Sequence, residues 1–325
     1  MSNAIQIENL TVGYHWENGF SIIINDLNLS IEEGIIFGIA GESGSGKSTF
    51  AQSIYNSLRY PGEIMSGKVF FKGKDLLQMP KHELRRIRAV DMTFIPQAAM
   101  NALNPVKRIG DQFKDVLEAH GKDLVEYEQN VQDVLKMVRL PQEILHNYPH
   151  ELSGGMRQRT VIAMALVLSP ELVILDEPTT GLDVLVEHDI LVDLKKIQRK
   201  KGFTMIMITH DLSILYEISD QLGMMYAGEL TEYGDRESMI NSSAHPYNYL
   251  LLKSIPRIGV KKYNGIRLTG NPSNYNENYK GCQFSTRCPY KTYECELTHP
   301  LLKKIPNENH YYRCIRYPDW IKDEN

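Results

Sequence analysis

The chain has 325 residues, 42% of them hydrophobic, and its 36 basic and 40 acidic side chains leave a net charge of −4. That length suffices for one large domain and a smaller one, and the balanced charge excludes a polybasic nucleic-acid arm or a strongly acidic tail. No apolar run reaches the roughly 18 residues that span a bilayer, and residues 1–10 lack the basic flank and apolar stretch of a signal peptide, so a soluble, cytoplasmic protein is expected, with any membrane contact made through a partner.

Residues 4–13 and 22–31 alternate apolar and polar positions and read as strands. Residues 34–40 form a continuous apolar run ending on a glycine cluster: a buried strand feeding a loop, with a helix over 47–58. The loop, Gly41-Glu42-Ser43-Gly44-Ser45-Gly46-Lys47-Ser48, fits the pattern G-x-x-x-x-G-K-[ST]. Glycines let such a backbone curl until its N–H groups converge on phosphate oxygens, and the positive end of the following helix faces the same anion. The phosphate-binding set is therefore Gly41, Ser43, Gly44, Ser45, Gly46, Lys47, Ser48 and Thr49. Lys47 is expected to reach the β- and γ-phosphates of ATP, and the Ser48 hydroxyl to ligate Mg²⁺. A chance Gly/Ser turn is the competing reading, but strand before and helix after supply the context the motif requires.

Residues 80–90 read as a charged helix or loop and 92–95 as a short strand, with Gln97 just beyond it. A Gln amide there can touch Mg²⁺ or the attacking water; in isolation it is an ordinary loop residue. Between 98 and 150 the apolar spacing is helical, at 111–120 and 129–140, and no strand stands out, which predicts a helical insertion. A helix over 154–168 leads to a buried strand at 171–175. The run Leu172-Val173-Ile174-Leu175-Asp176-Glu177 delivers two carboxylates to the carboxyl end of that strand, where ligands sit in open α/β sheets. Asp176 is expected to hold Mg²⁺, directly or through water, and Glu177 to polarise the attacking water as general base. Two charges capping the next turn is the bland alternative. An amphipathic helix over 184–200 and a strand over 204–208 follow, and then His210, placed to contact the γ-phosphate or the water; alone it would more often be a capped strand end. Strands alternating with helices predict an α/β domain with a mainly parallel sheet. From about residue 242 periodicity fades while Pro, Asn, Tyr and Cys become frequent. This predicts a first domain over 1–241, with the helical subdomain at about 98–150, and a small irregular one over 242–325.

The octet Leu152-Ser153-Gly154-Gly155-Met156-Arg157-Gln158-Arg159 resembles the signature sequence of ABC ATPases. Ser153, Gly154 and Gly155 open a helix, so free N–H groups face an anion, although a helix cap without a ligand uses the same residues. Tyr14, the loop at 41–48, Gln97, the octet, the carboxylate strand, Gly181-Leu182-Asp183 and His210 also follow in the family's order, over roughly residues 5–235. The resemblance implies a P-loop NTPase core. It further implies that two ATPase subunits sandwich two ATP molecules head to tail, each site joining one subunit's phosphate loop to the other's Ser153, Gly154, Gly155 and Asp183 region. Tyr14 would stack on adenine, with His15 and Trp16 adjacent to it. The catalytic set would be Glu177, His210 and Gln97, with Ser48, Gln97 and Asp176 around Mg²⁺. The helical insertion would receive a coupling helix of a membrane subunit.

The tail segments His245-Pro246-Tyr247, Ser254-Ile255-Pro256-Arg257, Gly270-Asn271-Pro272 and Gly281-Cys282 resemble the C-terminal extension of oligopeptide and dipeptide importer ATPases. All four cysteines lie here, as Cys282-x₅-Cys288-x₆-Cys295-x₁₈-Cys314. The spacing is not the tight C-x₂-C of many zinc sites, and on spacing alone an iron–sulfur cluster, a structural zinc and free buried thiols all stand. The resemblance favours a [4Fe–4S] cluster on Cys282, Cys288, Cys295 and Cys314. It also implies the partners: a second, non-identical ATPase subunit, two membrane-spanning permease subunits and an extracytoplasmic substrate-binding protein, with this chain peripheral on the cytoplasmic face. The expected cargo is peptide, with nickel or oligosaccharide as alternatives. Two other functions compete: a soluble ABC ATPase acting on nucleic acid or ribosomes, against which stand the charge of −4 and the single cassette, and a non-catalytic regulatory subunit, against which stand Glu177 and His210.

Overall fold

A computed structural model describes residues 2–17, 19–254 and 280–324. Two of the resembling tail segments, Ile255-Pro256-Arg257 and Gly270-Asn271-Pro272, lie outside the described residues. In chain order the strands are β1 (Asn3–Trp16), β2 (Gly19–Glu32), β3 (Ile36–Ala40), β4 (Gly62–Phe71), β5 (Lys74–Asp75), β6 (Met92–Ile95), β7 (Leu172–Asp176), β8 (Thr204–Ile208), β9 (Gln221–Tyr226), β10 (Glu229–Asp235), β11 (Lys303–Lys304) and β12 (His310–Tyr312). The helices are α1 (Lys47–Ile54), α2 (Lys81–Ile87), α3 (Ile109–Ala119), α4 (Leu124–Met137), α5 (Gly154–Leu166), α6 (Val184–Lys201), α7 (Leu212–Ile218), α8 (Arg236–Asn241), α9 (Pro246–Ser254), α10 (Glu294–Leu297) and α11 (Asp319–Glu324).

The chain divides into two compact units. The first comprises Met1–Ile5, Ile31–Ile36 and Phe70–Ile208. Its sheet is parallel: Met92 pairs with Leu172, and Leu172 with Thr204, so β6, β7 and β8 run side by side in register. Every residue of β7 and β8 is buried. A strand covered on both faces has no polar alternation to show, which is why both read as unbroken apolar runs. The insertion between β6 and β7 is helical, as its spacing predicts. Asp123 caps α4 by accepting from Val125 N at 2.8 Å. Gly202, at φ 77°, ends α6 in the left-handed conformation that glycine takes without strain.

The second unit comprises Gln6–Ser30, Phe37–Val69 and Thr209–Asn325. β2, β1 and β4 lie side by side in that order. The fully buried β3 pairs in parallel with β9, Phe37 against Gln221. Beyond β9 the pairing turns antiparallel, through β10 to β12 and β11. The expected mainly parallel sheet is therefore a mixed one. Its antiparallel strands come from residues 221–235 and from the tail, where buried Gln221, Glu229, Thr231 and Glu232 break the apolar pattern a strand search relies on. Among the described residues of the tail, β12 adds directly to β10.

Candidate active site

In the second unit, β3 delivers the chain into the phosphate loop and α1 leads it out. Gly46, at φ 100°, occupies the position before α1 in a conformation that L side chains rarely adopt. At Gly41 the constraint is space: a Cβ there would stand 2.2 Å from Met225 O and 2.7 Å from Ser45 Oγ. Lys47 is buried, and its ammonium bridges the loop, donating to Gly41 O at 2.8 Å and Glu42 O at 2.9 Å. Ser45 Oγ is buried without a hydrogen-bond partner, the condition expected of a hydroxyl placed for a ligand oxygen. Gly228 N donates to Ser45 O at 3.1 Å and so ties the loop to the turn after β9. Tyr14 is half-buried, its hydroxyl 3.4 Å from Thr49 Oγ1. The exposed rings beside it are His15, Trp16 and Tyr60, with His15 and Tyr60 stacked at 6.1 Å. His210 is exposed two residues beyond the end of β8.

In the first unit, Asp176 is the buried last residue of β7. Glu177 follows at φ 45°, a left-handed conformation unusual for a non-glycine residue. Its N–H donates to Ile208 O at 2.8 Å, anchoring the turn to β8. Its carboxylate accepts from Gln97 Nε2 at 3.1 Å and from Thr180 Oγ1 at 3.0 Å, both on Oε2. The structure thus brings Gln97 and Glu177 together and adds Thr180, which no motif singled out. Strand β6 sets this up by pairing with β7, because Gln97 leaves one strand where Glu177 leaves the next.

Ser153 caps α5, its hydroxyl accepting from Met156 N at 3.3 Å. The two glycines have a packing reason: a Cβ on Gly154 would lie 3.2 Å from Leu182 Cδ2, and one on Gly155 2.9 Å from Val186 Cγ1. The signature helix therefore sits close against the segment carrying Asp183, which caps α6 by accepting from Val186 N at 3.0 Å. Behind them Arg159 donates to Val138 O and to Asp193, each at 2.9 Å, and Arg139 reaches the same buried Asp193 at 2.6 Å. This clamp holds α5, α6 and the end of α4 together, and no local signal announces it.

A family model described as "ABC transporter" matches residues 24–180, and one described as the C-terminal region of the oligopeptide/dipeptide transporter matches residues 231–295. The chain is 40% identical to the oligopeptide transport ATP-binding protein OppD of Haemophilus influenzae over 313 residues, 95% of either chain. It is 38% identical to the dipeptide transport ATP-binding protein DppD of Bacillus subtilis, covering 100% of this chain and 96% of the relative. The chain belongs to the oligopeptide/dipeptide family of ABC transporter ATP-binding proteins. Two solved structures agree on the ABC cassette fold. A dimeric post-hydrolysis cassette bound to ADP and Pi superposes with a TM-score of 0.63 at 26% identity, over 71% of this chain and 98% of that one. A dimeric bacterial ABC transporter cassette gives 0.64 at 27% identity over the same shares. This ABC subunit is accordingly an ATPase, and among its described residues no helix is long and apolar enough to cross a membrane.

The tail of the ABC subunit folds around its cysteines. Cys282 N donates to Cys295 O at 2.8 Å, and Gly281 admits that approach, since a Cβ there would be 2.4 Å from the same carbonyl. Burial first, and then the neighbouring cysteines of the four, push the thiols of Cys282, Cys288 and Cys314 up to about 12. Among the described residues no group of three or more His, Cys, Asp or Glu side chains is arranged to hold a metal ion.

Proposed function

We propose that this subunit powers the import of oligopeptides or dipeptides, hydrolysing ATP at the cytoplasmic face of a membrane. The observation that carries the reading is the extent of the likeness: it runs past the cassette through residues 231–295 and over nearly the whole length of relatives named for peptide transport. Peptide is preferred over nickel or oligosaccharide on those names. Within the chain, residues 1–241 are the nucleotide-binding domain, with the helical subdomain at about 98–150, and 242–325 the importer-type C-terminal domain.

Gly41, Ser43, Gly44, Ser45, Gly46, Lys47, Ser48 and Thr49 hold the phosphates, and Tyr14 carries the adenine. The orphaned Ser45 hydroxyl and the Lys47 ammonium, parked on two carbonyls, support this. By their motif positions Ser48, Gln97 and Asp176 would hold Mg²⁺, an ion that binds through one or two carboxylates, waters and substrate phosphates rather than an all-protein cage. When bound, the ion neutralises charge developing on the phosphates. Glu177, oriented by Gln97 and Thr180, takes the proton of the attacking water, and His210 steadies the γ-phosphate. Ser153, Gly154, Gly155 and Asp183 face the ATP held by a second cassette. That cassette is a non-identical subunit, and the assembly is completed by two permeases and an extracytoplasmic binding protein.

Cys282, Cys288, Cys295 and Cys314 hold a [4Fe–4S] cluster rather than zinc. What supports the cluster is the likeness of residues 231–295 to the importer-type C-terminal region together with four thiols near enough to act on one another electrostatically. The cluster would staple a tail poor in regular structure. Iron and labile sulfide in the purified subunit would support it, whereas stoichiometric zinc without iron would replace it by the metal of the alternative reading.

The test of import is the ATPase rate of the lipid-reconstituted complex with its binding protein and candidate ligands. Stimulation by peptide is expected. Stimulation by nickel or oligosaccharide alone would change the cargo, and none at all would overturn coupled import.

A further inference from the structure

Glu42 is the only acidic residue among residues 41–48, and a carboxylate is a poor neighbour for a triphosphate. Its main chain cannot withdraw. The N–H donates to the Tyr247 hydroxyl at 3.0 Å, and the carbonyl accepts from Lys47 Nζ at 2.9 Å and Ser45 N at 3.1 Å. The side chain is met instead by Arg287, 245 residues further along the chain: Nη1 donates to Oε2 at 2.6 Å and Nη2 to Oε1 at 2.8 Å. This two-pronged fork is the strongest geometry an arginine–carboxylate pair adopts. The Arg287 side chain is only 4% exposed. It is held a second time by the Tyr226 hydroxyl at 3.3 Å, with the guanidinium 5.7 Å from the Tyr226 ring centre. Tyr226 in turn packs edge-on against Tyr247 and Phe284, with ring centres 4.9 and 5.2 Å apart. The Arg287 backbone lies in the turn between Cys282 and Cys288, where Arg287 N donates to Phe284 O at 3.0 Å and Cys288 N to Ser285 O at 3.4 Å.

We propose that Arg287 is a positioning residue for ATP binding: from the cysteine-bearing tail it neutralises and fixes Glu42, the one carboxylate of the phosphate loop. The proposal rests on the reading of residues 41–48 as the ATP site. It makes the tail part of the nucleotide site, so whatever sets the turn between Cys282 and Cys288 also sets the charge that ATP meets.

The test is equilibrium binding of a fluorescent ATP analogue to the full-length chain and four variants. Arg287→Met frees the Glu42 charge beside the phosphates and raises Kd about tenfold at low salt, an effect that shrinks as added salt screens the repulsion. Glu42→Gln placed in the same chain returns Kd to within about threefold of the parent, because the repelling charge is gone. A merely structural clamp predicts the opposite, since the double variant lacks both partners; a double variant as weak as Arg287→Met overturns the proposal. Glu42→Gln alone leaves the guanidinium uncompensated and tightens binding; unchanged or weaker binding overturns the proposal, and this variant decides the matter if Arg287→Met fails to fold. Lys47→Ala separates the two readings. If it binds ATP like the parent, the assignment of residues 41–48 fails; if it loses ATP while Arg287→Met binds normally, only the role of Arg287 fails.

Discussion

Glu177 stores backbone strain of about 1–3 kcal/mol at φ 45° and is kept there by the hydrogen bond from its own N–H to Ile208 O. The conformation turns the carboxylate toward Gln97 and Thr180 instead of along the strand. For a general base, replacement by the isosteric amide removes the proton acceptor and keeps the shape. Glu177→Gln is expected to lower the hydrolysis rate by roughly 10²–10⁴-fold while nucleotide binding stays intact, to be read from steady-state turnover beside equilibrium binding. His245 supports a prediction of another kind. Burial depresses its pKa to about 3, and its neutral Nδ1 accepts from Tyr247 N at 3.0 Å. The unfolded chain takes up this proton near its ordinary value of about 6.5, and the folded chain does not. Stability therefore falls as pH drops from about 6.5 toward 3, by up to about 1.4 kcal/mol per pH unit from this group. Urea unfolding at about pH 7 and about pH 5 should show that dependence flattened in His245→Asn.

At the scale of elements, the helical part of the first unit depends on one buried charge. Asp193 on α6 pairs with Arg159 on α5 and with Arg139 just after α4, and Arg159 also caps the carbonyl of Val138. Removing one partner of a buried pair leaves the other uncompensated, so Asp193→Ala should cost about 3–5 kcal/mol in denaturant unfolding. Replacing an exposed pair such as Lys114 and Glu118 should cost under about 1 kcal/mol. The legibility of the elements follows burial and pattern. β6 and β8 are readable to the residue because both are short and apolar, and α6 to within one residue because its spacing, its Asp183 cap and its Gly202 stop agree. β4 carries no strand pattern in the sequence, because its interior holds Ser66, Gly67 and Lys68. Gly67 lies there at φ 104° because a Cβ would sit 2.5 Å from Leu10 Cα; that close approach belongs to a strand distant in sequence, and periodicity does not report it. α1 ends at Ile54 rather than near residue 58.

For the whole molecule, the tail is built into the second unit as sheet. β12 pairs with β10, Glu232 against Tyr312. The buried Glu232 carboxylate accepts from Ala244 N at 2.8 Å, His245 N at 2.9 Å and His310 Nε2 at 2.7 Å. Glu229 is met likewise by His299 at 2.8 Å. A chain ending at residue 279 loses His299 and His310, uncovers the edge of β10 and frees Glu42. Its melting temperature should drop, and it should aggregate where the full chain does not, because an open edge pairs with other chains. Light scattering during a thermal ramp checks both. An unchanged melting temperature would mean that the tail strand is an ornament of the sheet.

The sequence by itself determined the α/β class, the buried strands that are apolar throughout, the helical insertion and the order of the ATPase motifs. Each is written in local periodicity or in a fixed spacing that needs no distant partner. Only the tertiary structure decided that Thr180 holds Glu177, that the signature glycines admit Leu182 and Val186, that β10 is a buried strand despite Glu229 and Glu232, and that Arg287 reaches Glu42. The reason is that each depends on a contact from elsewhere in the fold. A buried charge or a missing Cβ is tolerated only where a group from elsewhere in the chain answers it, and that answer exists only once the chain has folded.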